Sequence, residues 1–405
     1  MNAVAEFMRN VHAAGAFPEV HVIDGAPSEP VVTVEGRQVL LFCSSNYLGL
    51  ATHPEVKQAV ADALWDYGVG ANGSRLVSGT TTLHVALEEA TAAYKDTEAA
   101  IAFPTGFMAN TGTIPALAYL PYFARMAGLA LETETPHMVA LSDALNHASI
   151  IDGLDAARAQ RVNYAHCDLG ALEEKLYQHR GMRLLIVTDG VFSMDGDIAP
   201  LPGILRLAEQ YGAMVLLDDA HATGVLGPTG RGTLEHFGLE AGPEVVQMGT
   251  YSKSFGSLGG FVVADTTTVD YLRIAARSYM FSGALPPCLA AGIVKAIEIA
   301  AREPQRRVRL LRNRDYLVHG LEDLGFDTLG SETPIVPILV GDDDKAEAMS
   351  GELFERGVLA PCVRWPAVAR GQSRIRITLT ASHEREHLDR LLEGLDDLGH
   401  KFGVV

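Results

Sequence analysis

Cysteine is scarce and scattered: Cys43, Cys167, Cys288 and Cys362 make up the whole complement, and none stands in a C-x-x-C pair. That spacing excludes the usual signatures of a zinc knuckle or a dithiol redox centre and fits reduced thiols in a cytoplasm. Positive charge is short as well. Lys and Arg number 32 against 50 Asp and Glu, the formal net charge is −18, and no Lys/Arg run supplies a local basic patch. A nucleic-acid backbone or an anionic membrane surface would be repelled, so neither is expected as a partner. An anionic substrate must be held by a few placed cations rather than drawn in by the overall field.

A long uninterrupted apolar run is missing too. The N-terminal MNAVAEFMRNVHAAG carries Glu6 and Arg9 where a secretory signal needs an apolar stretch, so no export is expected. From Ala99 to Ala124 no residue is charged, but Pro104, Asn110, Pro115 and Pro121 break the stretch, which argues against a membrane span. There is no internal repeat and no Ser/Gly linker, so the division of the chain rests on changes of pattern.

Against these absences stand 48% hydrophobic and 20% charged residues in a chain of 405. That is enough for a substantial core, at a length that suits a large α/β domain with a smaller partner and a cleft between them. The pattern places an N-terminal arm at 1–50, a large domain at 51–290 and a smaller α+β domain at 291–405. Residues 53–67, with Val56, Val60, Ala63 and Leu64 at helical spacing, and residues 83–94 read as surface helices. MVALSD, RLLIVTDG, AMVLLDDA, EVVQMGT and GGFVVAD then alternate with helical stretches, each apolar throughout, which implies a mostly parallel sheet covered on both faces. Ligands of such sheets bind beyond the carboxyl ends of the strands, so Asp143, Asp189, Asp218 and Thr250 are the residues to examine. A long helical stretch follows Pro286 and Pro287. PIVPILV and SRIRITLT then read as strands, and EHLDRLLEGLDDLGHKFG as a closing helix.

The run from Met214 delivers a carboxylate, Asp218, from the end of a buried strand, with His221 three positions later. An aspartate at such a turn is also a common helix cap, and Asp218 alone leaves both readings open. Thr250-Tyr251-Ser252-Lys253-Ser254 places one lysine after another buried strand, among small hydroxyl residues and near Gly256, Gly259 and Gly260. It imitates a phosphate-binding P-loop but lacks the glycine that must precede the lysine. A carboxylate at one strand end and a lysine after a later one suit a pyridine aldehyde cofactor: the lysine forms the imine and the carboxylate keeps the ring nitrogen protonated.

SDALNHASIIDG (142–153), TDGVFSMDGD (188–197), DDAHATGVLG (218–227) and TYSKSFG (250–256), in that order, resemble the motifs of the α-oxoamine synthases, and the similarity extends from NYLGL at 46 to the C-terminus. The resemblance implies a fold-type I transferase dependent on pyridoxal 5'-phosphate (PLP), with a mostly parallel seven-stranded sheet and a smaller C-terminal domain. It implies condensation of an amino acid with an acyl thioester, carried by coenzyme A or a carrier protein, usually with loss of carbon dioxide. Lys253 would carry the cofactor, His147 stack over its ring, Asp218 contact the ring nitrogen, and His221 and Ser193 reach the ring hydroxyl. The phosphate would rest on Gly106 and Phe107 with help from Thr250.

The resemblance further implies a homodimer whose 281–287 segment, with Ser282 and Gly283, completes the partner's site. Arg376 is the choice for the amino-acid carboxylate, because a guanidinium fork fits it; Arg374 shares its strand face. Arg364 stands in a departure, Arg364-Trp365-Pro366 in place of the family's R-P-P, and Ser45 replaces an asparagine, so contacts to the amino acid differ there. The stretch around Tyr119 to His137 is longer than in the relatives and is expected to shape the acyl pocket or the dimer edge.

Several other readings stay open on the sequence. They are a glycine C-acetyltransferase-type ligase without obligatory decarboxylation, another fold-type I enzyme such as an aminotransferase or aldolase, and a silent partner subunit, against which Lys253 argues. His383-Glu384-Arg385-Glu386-His387 matches the zincin pattern, but with a charged spacer and Ser382 as a candidate cap it reads as a solvated helix start, and no metal is assigned.

Overall fold

The apolar runs pair into one seven-stranded sheet in the computed structural model, which describes residues 2–13, 17, 20–120, 127–129, 138–157 and 159–405. Three short strands come first in the chain, β1 (Ile23–Asp24), β2 (Val31–Val34) and β3 (Arg37–Leu41). The large sheet is built from β4 (Ala99–Phe103), β5 (Met138–Asp143), β6 (Gln160–Tyr164), β7 (Arg183–Asp189), β8 (Met214–Asp218), β9 (Val245–Thr250) and β10 (Gly260–Ala264). Their order is β4-β10-β9-β8-β7-β5-β6. Neighbours from β6 to β9 are parallel, whereas β10 runs antiparallel to both β9 and β4. Strands buried on both faces need no polar alternation, which is why β5, β7 and β9 read as continuous apolar runs. Asp143, Asp189, Asp218 and Thr250 are each the last residue of a strand, so four polar side chains leave the sheet along one rim.

The helices Pro54–Tyr67 and Thr82–Lys95 stand where the spacing put them. The second is not a surface helix, because His84, Leu87, Glu88, Thr91, Ala92 and Lys95 are all buried. Its polar residues are paired inward: Glu88 with Arg75 at 2.9 Å and Arg273 at 3.0 Å, Lys95 with Asp219 at 2.8 Å, and His84 Nε2 with the Leu285 carbonyl at 2.7 Å. Hydropathy alone reads such residues as solvent-facing. Helix Pro287–Arg302 packs across both of these helices, and Gly292 allows the approach, since a Cβ there would lie 2.5 Å from Val60.

After the helix Gln305–Asp323 come β11 (Ile335–Gly341), β12 (Val358–Leu359), β13 (Cys362–Val363) and β14 (Ser373–Thr378). β11, β14 and β13 form an antiparallel sheet, while β12 pairs in parallel with β3, so that N- and C-terminal segments share a second small sheet. The helices Asp343–Glu355 and Arg385–Phe402 accompany them. Ser382 does not cap the last helix: Glu384 does, in a capping box in which His387 Nδ1 accepts the Glu384 N–H at 3.1 Å. No helix among the described residues is long and apolar enough to cross a membrane. Most of the longer stretch expected around Tyr119 to His137 lies outside the described residues.

Candidate active site

β8 ends on Asp218, 3% exposed, and the chain turns back at once. Its Oδ1 accepts the Ala220 N–H at 3.1 Å, the turn-capping contact, and its Oδ2 accepts from Asn110 Nδ2 at 2.7 Å. A carboxylate has about four lone-pair sites, so capping the turn leaves capacity on the side that faces the cavity. Three residues beyond the end of β9, Lys253 enters the same cavity. Its amine has no hydrogen-bond partner among the described residues, and burial lowers its pKa from 10.5 to about 8, against the raising effect of Asp218 and Asp189 and with a further push down from Arg376.

The opposite wall is the start of the helix Gly106–Ala118. Thr105 caps it by accepting the Met108 N–H at 3.0 Å, which leaves the first N–H groups, those of Gly106 and Phe107, without intrahelical partners. The approach is close: a Cβ on Gly106 would crowd Thr250 Cβ and Oγ1 at 3.2 Å, and glycine is required at 260, where a Cβ would come within 2.6 Å of the Gly106 nitrogen. Thr250 Oγ1 donates to the Gly259 carbonyl at 2.8 Å and meets Ser252 Oγ at 2.8 Å, so two hydroxyls face the helix terminus.

His147 is anchored by its own N–H to Asp189 Oδ2 at 3.0 Å, and its Nδ1 meets Ser149 Oγ at 2.8 Å. Burial lowers its pKa although Asp218 opposes the shift, and Lys253 adds to it. His221 is held well below the ordinary histidine range by burial and by the positive charges of Lys253 and Arg376. Tyr47 Oη lies 2.7 Å from His221 Nδ1, and burial raises this phenol to about 12, so it stays protonated beside the neutral imidazole. Asp189 is raised well above the carboxylate range by burial and by Asp218 beside it. The cavity these groups enclose has a volume of about 230 Å³ and also touches Thr105, Ser149, Ser193, Ala220, Met248 and Ser252.

The loop that carries Ser193 is pinned from both sides. His166 bridges Asp143 at 2.9 Å and Asp197 at 2.8 Å; burial opposes its charge, but the two carboxylates outweigh burial and raise it to about 12. From β14, Arg376 Nε donates to the Ser193 carbonyl at 2.5 Å and Nη1 to Thr378 Oγ1 at 2.9 Å, while Arg374 pairs with Asp195. Arg376 thus stands just behind the cavity, and Arg374 is spent on the loop.

Ser45 lies against the Tyr47 hydroxyl. Arg364 is turned to Glu347 at the surface and does not line the cavity. Ser282 and Gly283 also stay outside the cavity of their own chain. The zincin-like histidines do not converge: His383 is buried, with Nδ1 accepting the Thr380 N–H at 2.9 Å and Nε2 facing the Leu41 carbonyl at 3.0 Å, while His387 serves the cap. Sequence reasoning gave no role to Asn110, Ser149, Asp189, Tyr47 or Ser252. Tyr47, Ser149, Asp189 and Ser252 fall inside quoted motifs and Asn110 lies one helical turn after Gly106, and that adjacency was the available signal.

The donor set fits a phosphorylated pyridine aldehyde. An amine with lowered proton affinity suits the aldehyde, a buried carboxylate with spare lone pairs suits a ring N–H, and unpaired helix N–H groups suit the phosphate. The floor at Gly106 is one that a Cβ would fill.

Comparison with known proteins agrees. A family described as aminotransferase class I and II matches residues 37–395. The chain is 43% identical over 406 residues to the 8-amino-7-oxononanoate synthase of Geobacter sulfurreducens, covering 100% of this chain and 99% of the relative. It is 45% identical over 408 residues to that of Citrifermentans bemidjiense, covering 100% of both. A serine palmitoyltransferase structure with PLP as internal aldimine superposes with a TM-score of 0.90 at 32% identity, covering 100% of this chain and 98% of the other.

Proposed function

The chain belongs to the α-oxoamine synthases of the class I and II aminotransferase family, PLP-dependent enzymes that condense an amino acid with an acyl thioester, and we propose that its own product is 8-amino-7-oxononanoate. Full-length identity of 43–45% to synthases of that name, against 32% to serine palmitoyltransferase, supports this product over a long-chain one. Disconnecting the C7–C8 bond of the product gives the substrates. C8, its nitrogen and the terminal methyl come from alanine after loss of carbon dioxide; C1 to C7 come from a heptanedioyl thioester, whose thiol leaves.

The observation that carries the reading is the convergence of Lys253, Asp218, His147 and the Gly106 helix terminus on one cavity. When bound, the cofactor supplies an electron sink for the carbanion at the amino acid's α carbon. Lys253 would hold its aldehyde, and once displaced its Nζ, at a pKa of about 8, is matched to taking and returning the α proton near neutrality. Asp218 would hold the proton on the ring nitrogen. The N–H groups of Gly106 and Phe107, with Thr250 and Ser252, would hold the phosphate, and His221 and Ser193 the ring hydroxyl. His147 would cover the ring face and exclude water. Arg376, with an Nη free to leave Thr378, would grip the amino-acid carboxylate, and Ser45 beside Tyr47 would border it.

A homodimer fits the surface. Trp65, Val69, Val77 and Phe281 are 68–88% exposed, large apolar side chains that a second copy would cover. The Ala284 N–H bonds the Gly73 carbonyl at 2.9 Å, which brings residues 69–77 and 281–287 together at that face. Ser282 and Gly283 would then enter the partner's cavity. The pairing of β3 with β12 supports a small domain made of residues 1–50 and 291–405. Four free thiols support a reducing, cytoplasmic setting, and the acyl donor would be coenzyme A or a carrier protein.

Mass analysis of the product tests the reading. Alanine with heptanedioyl-coenzyme A or the matching carrier-protein thioester should give the nine-carbon aminoketone, one carbon dioxide and one thiol per turnover. Preference for serine with palmitoyl-coenzyme A would overturn the proposed product while keeping the family.

A further inference from the structure

One side chain ties the two sides of the cofactor cavity together without lining it. Asn110 sits one turn into the helix whose first N–H groups face the cavity, and it is fully buried. Its Nδ2 makes two contacts, 2.7 Å to Asp218 Oδ2 and 2.9 Å to Ser149 Oγ. The amide orientation follows from charge: reversed, its carbonyl oxygen would face a carboxylate oxygen at hydrogen-bond distance with no hydrogen between them. Both Nδ2 hydrogens are therefore spent, and Ser149 Oγ is an acceptor toward Asn110. The Ser149 hydroxyl hydrogen is then available to His147 Nδ1 at 2.8 Å, which the Ser149 backbone N–H also approaches at 3.2 Å. Two donors aimed at Nδ1 leave no place for a hydrogen on it.

We infer that Asn110 is a positioning residue: through Ser149 it joins the Asp218 carboxylate to the His147 imidazole, holding the carboxylate toward the ring nitrogen and the imidazole as its neutral Nε2–H tautomer. The inference rests on the PLP reading of the site. A second observation separates it from ordinary core packing. Asn110 Oδ1 is buried and has no hydrogen-bond partner among the described residues, a desolvation cost that an apolar side chain would avoid. The direction of the His147 shift agrees with a neutral ring, set by burial with Asp218 and Lys253 as the charged groups acting on it. Asp189 holds the His147 backbone, and Lys253, His221 and Arg376 complete the charged and titratable surroundings. One helix thus supplies the phosphate cradle at its first residues and the carboxylate anchor one turn later.

The first test needs no cofactor. In apoprotein labelled with 15N-histidine, the His147 resonance, assigned by its loss in His147→Ala, should show a protonated Nε2 and a bare Nδ1 at pH 7.5; an Nδ1–H tautomer or an imidazolium would overturn the relay. The second uses Asn110→Asp, which keeps the shape but replaces the donor by an acceptor facing Asp218. PLP affinity of the apoprotein, read by absorbance titration, should fall about 10- to 100-fold, kcat should fall by at least as much, and the KM for the amino acid should stay within about threefold. Ser149→Ala, which cuts only the His147 arm, should leave PLP affinity within about threefold of wild type and shift the His147 resonances. Wild-type affinity and kcat in Asn110→Asp would overturn the proposal. Should that variant not fold, the wild-type tautomer still decides. Failure of the wild-type apoprotein to bind PLP at all would instead overturn the cofactor reading.

Discussion

Arg376 Nε donates to the Ser193 carbonyl at 2.5 Å, so a strand of the C-terminal region holds in place a loop of the large sheet that lines the cavity. Two residues earlier on the same strand, Arg374 is 3% exposed and paired with Asp195 of that loop. The two arginines share a strand face and both brace the loop, Arg374 through the Asp195 carboxylate and Arg376 through the Ser193 carbonyl; the proposed carboxylate role falls to Arg376 alone.

That division predicts different phenotypes. Arg376→Lys keeps the charge and loses the planar fork, so the KM for the amino acid should rise about 10- to 100-fold, with a modest fall in melting temperature from the lost bond to the Ser193 carbonyl. Arg374→Ala leaves Asp195 without its partner and should lower the melting temperature while the KM changes little. Steady-state kinetics and thermal denaturation of both variants check this, and an unchanged KM in Arg376→Lys would remove it from the carboxylate site.

Lysine with a pKa near 8 sets a pH dependence. At pH 7 roughly a tenth of the Lys253 amine is unprotonated, against about 0.03% for an ordinary lysine at 10.5. The neutral amine is the reactive form, so the rate at which apoprotein captures PLP should rise with pH, bend near 8 and level above it. Stopped-flow absorbance from pH 6 to 10 measures this; a rate still climbing tenfold per unit at pH 9 would contradict the lowered pKa.

Phe281 is 68% exposed beside a segment that exposes Val69, Leu76 and Val77, with Arg277 4.9 Å over its ring. A charge placed there should oppose burial against a second copy. Phe281→Asp should sediment with half the mass of the wild type and lose most of its turnover, and an unchanged mass would take this face out of the subunit contact.

Much of the architecture was legible because buried parallel strands write themselves as apolar runs ending in a polar residue. MVALSD, RLLIVTDG and AMVLLDDA became β5, β7 and β8 with Asp143, Asp189 and Asp218 at their ends. The buried helix Thr82–Lys95 misled, because ion pairs hide charged residues in the interior and local periodicity has no sign of a distant partner. The same holds at the site. Lys253, Asp218 and His147 stand in motifs, whereas the tie from Asn110 to Asp218 spans 108 positions in sequence and exists only after folding. Arg364 drew attention by its place in a departed motif, yet its guanidinium is directed to Glu347.

The central claim is that Lys253 holds the cofactor, and reduction with borohydride followed by peptide mass analysis tests it most directly. Holoprotein treated in this way should carry one reduced pyridoxyl phosphate per chain, on the peptide containing Lys253, and Lys253→Ala should carry none. Label on another lysine, or none on the wild type after saturation with PLP, would contradict the account.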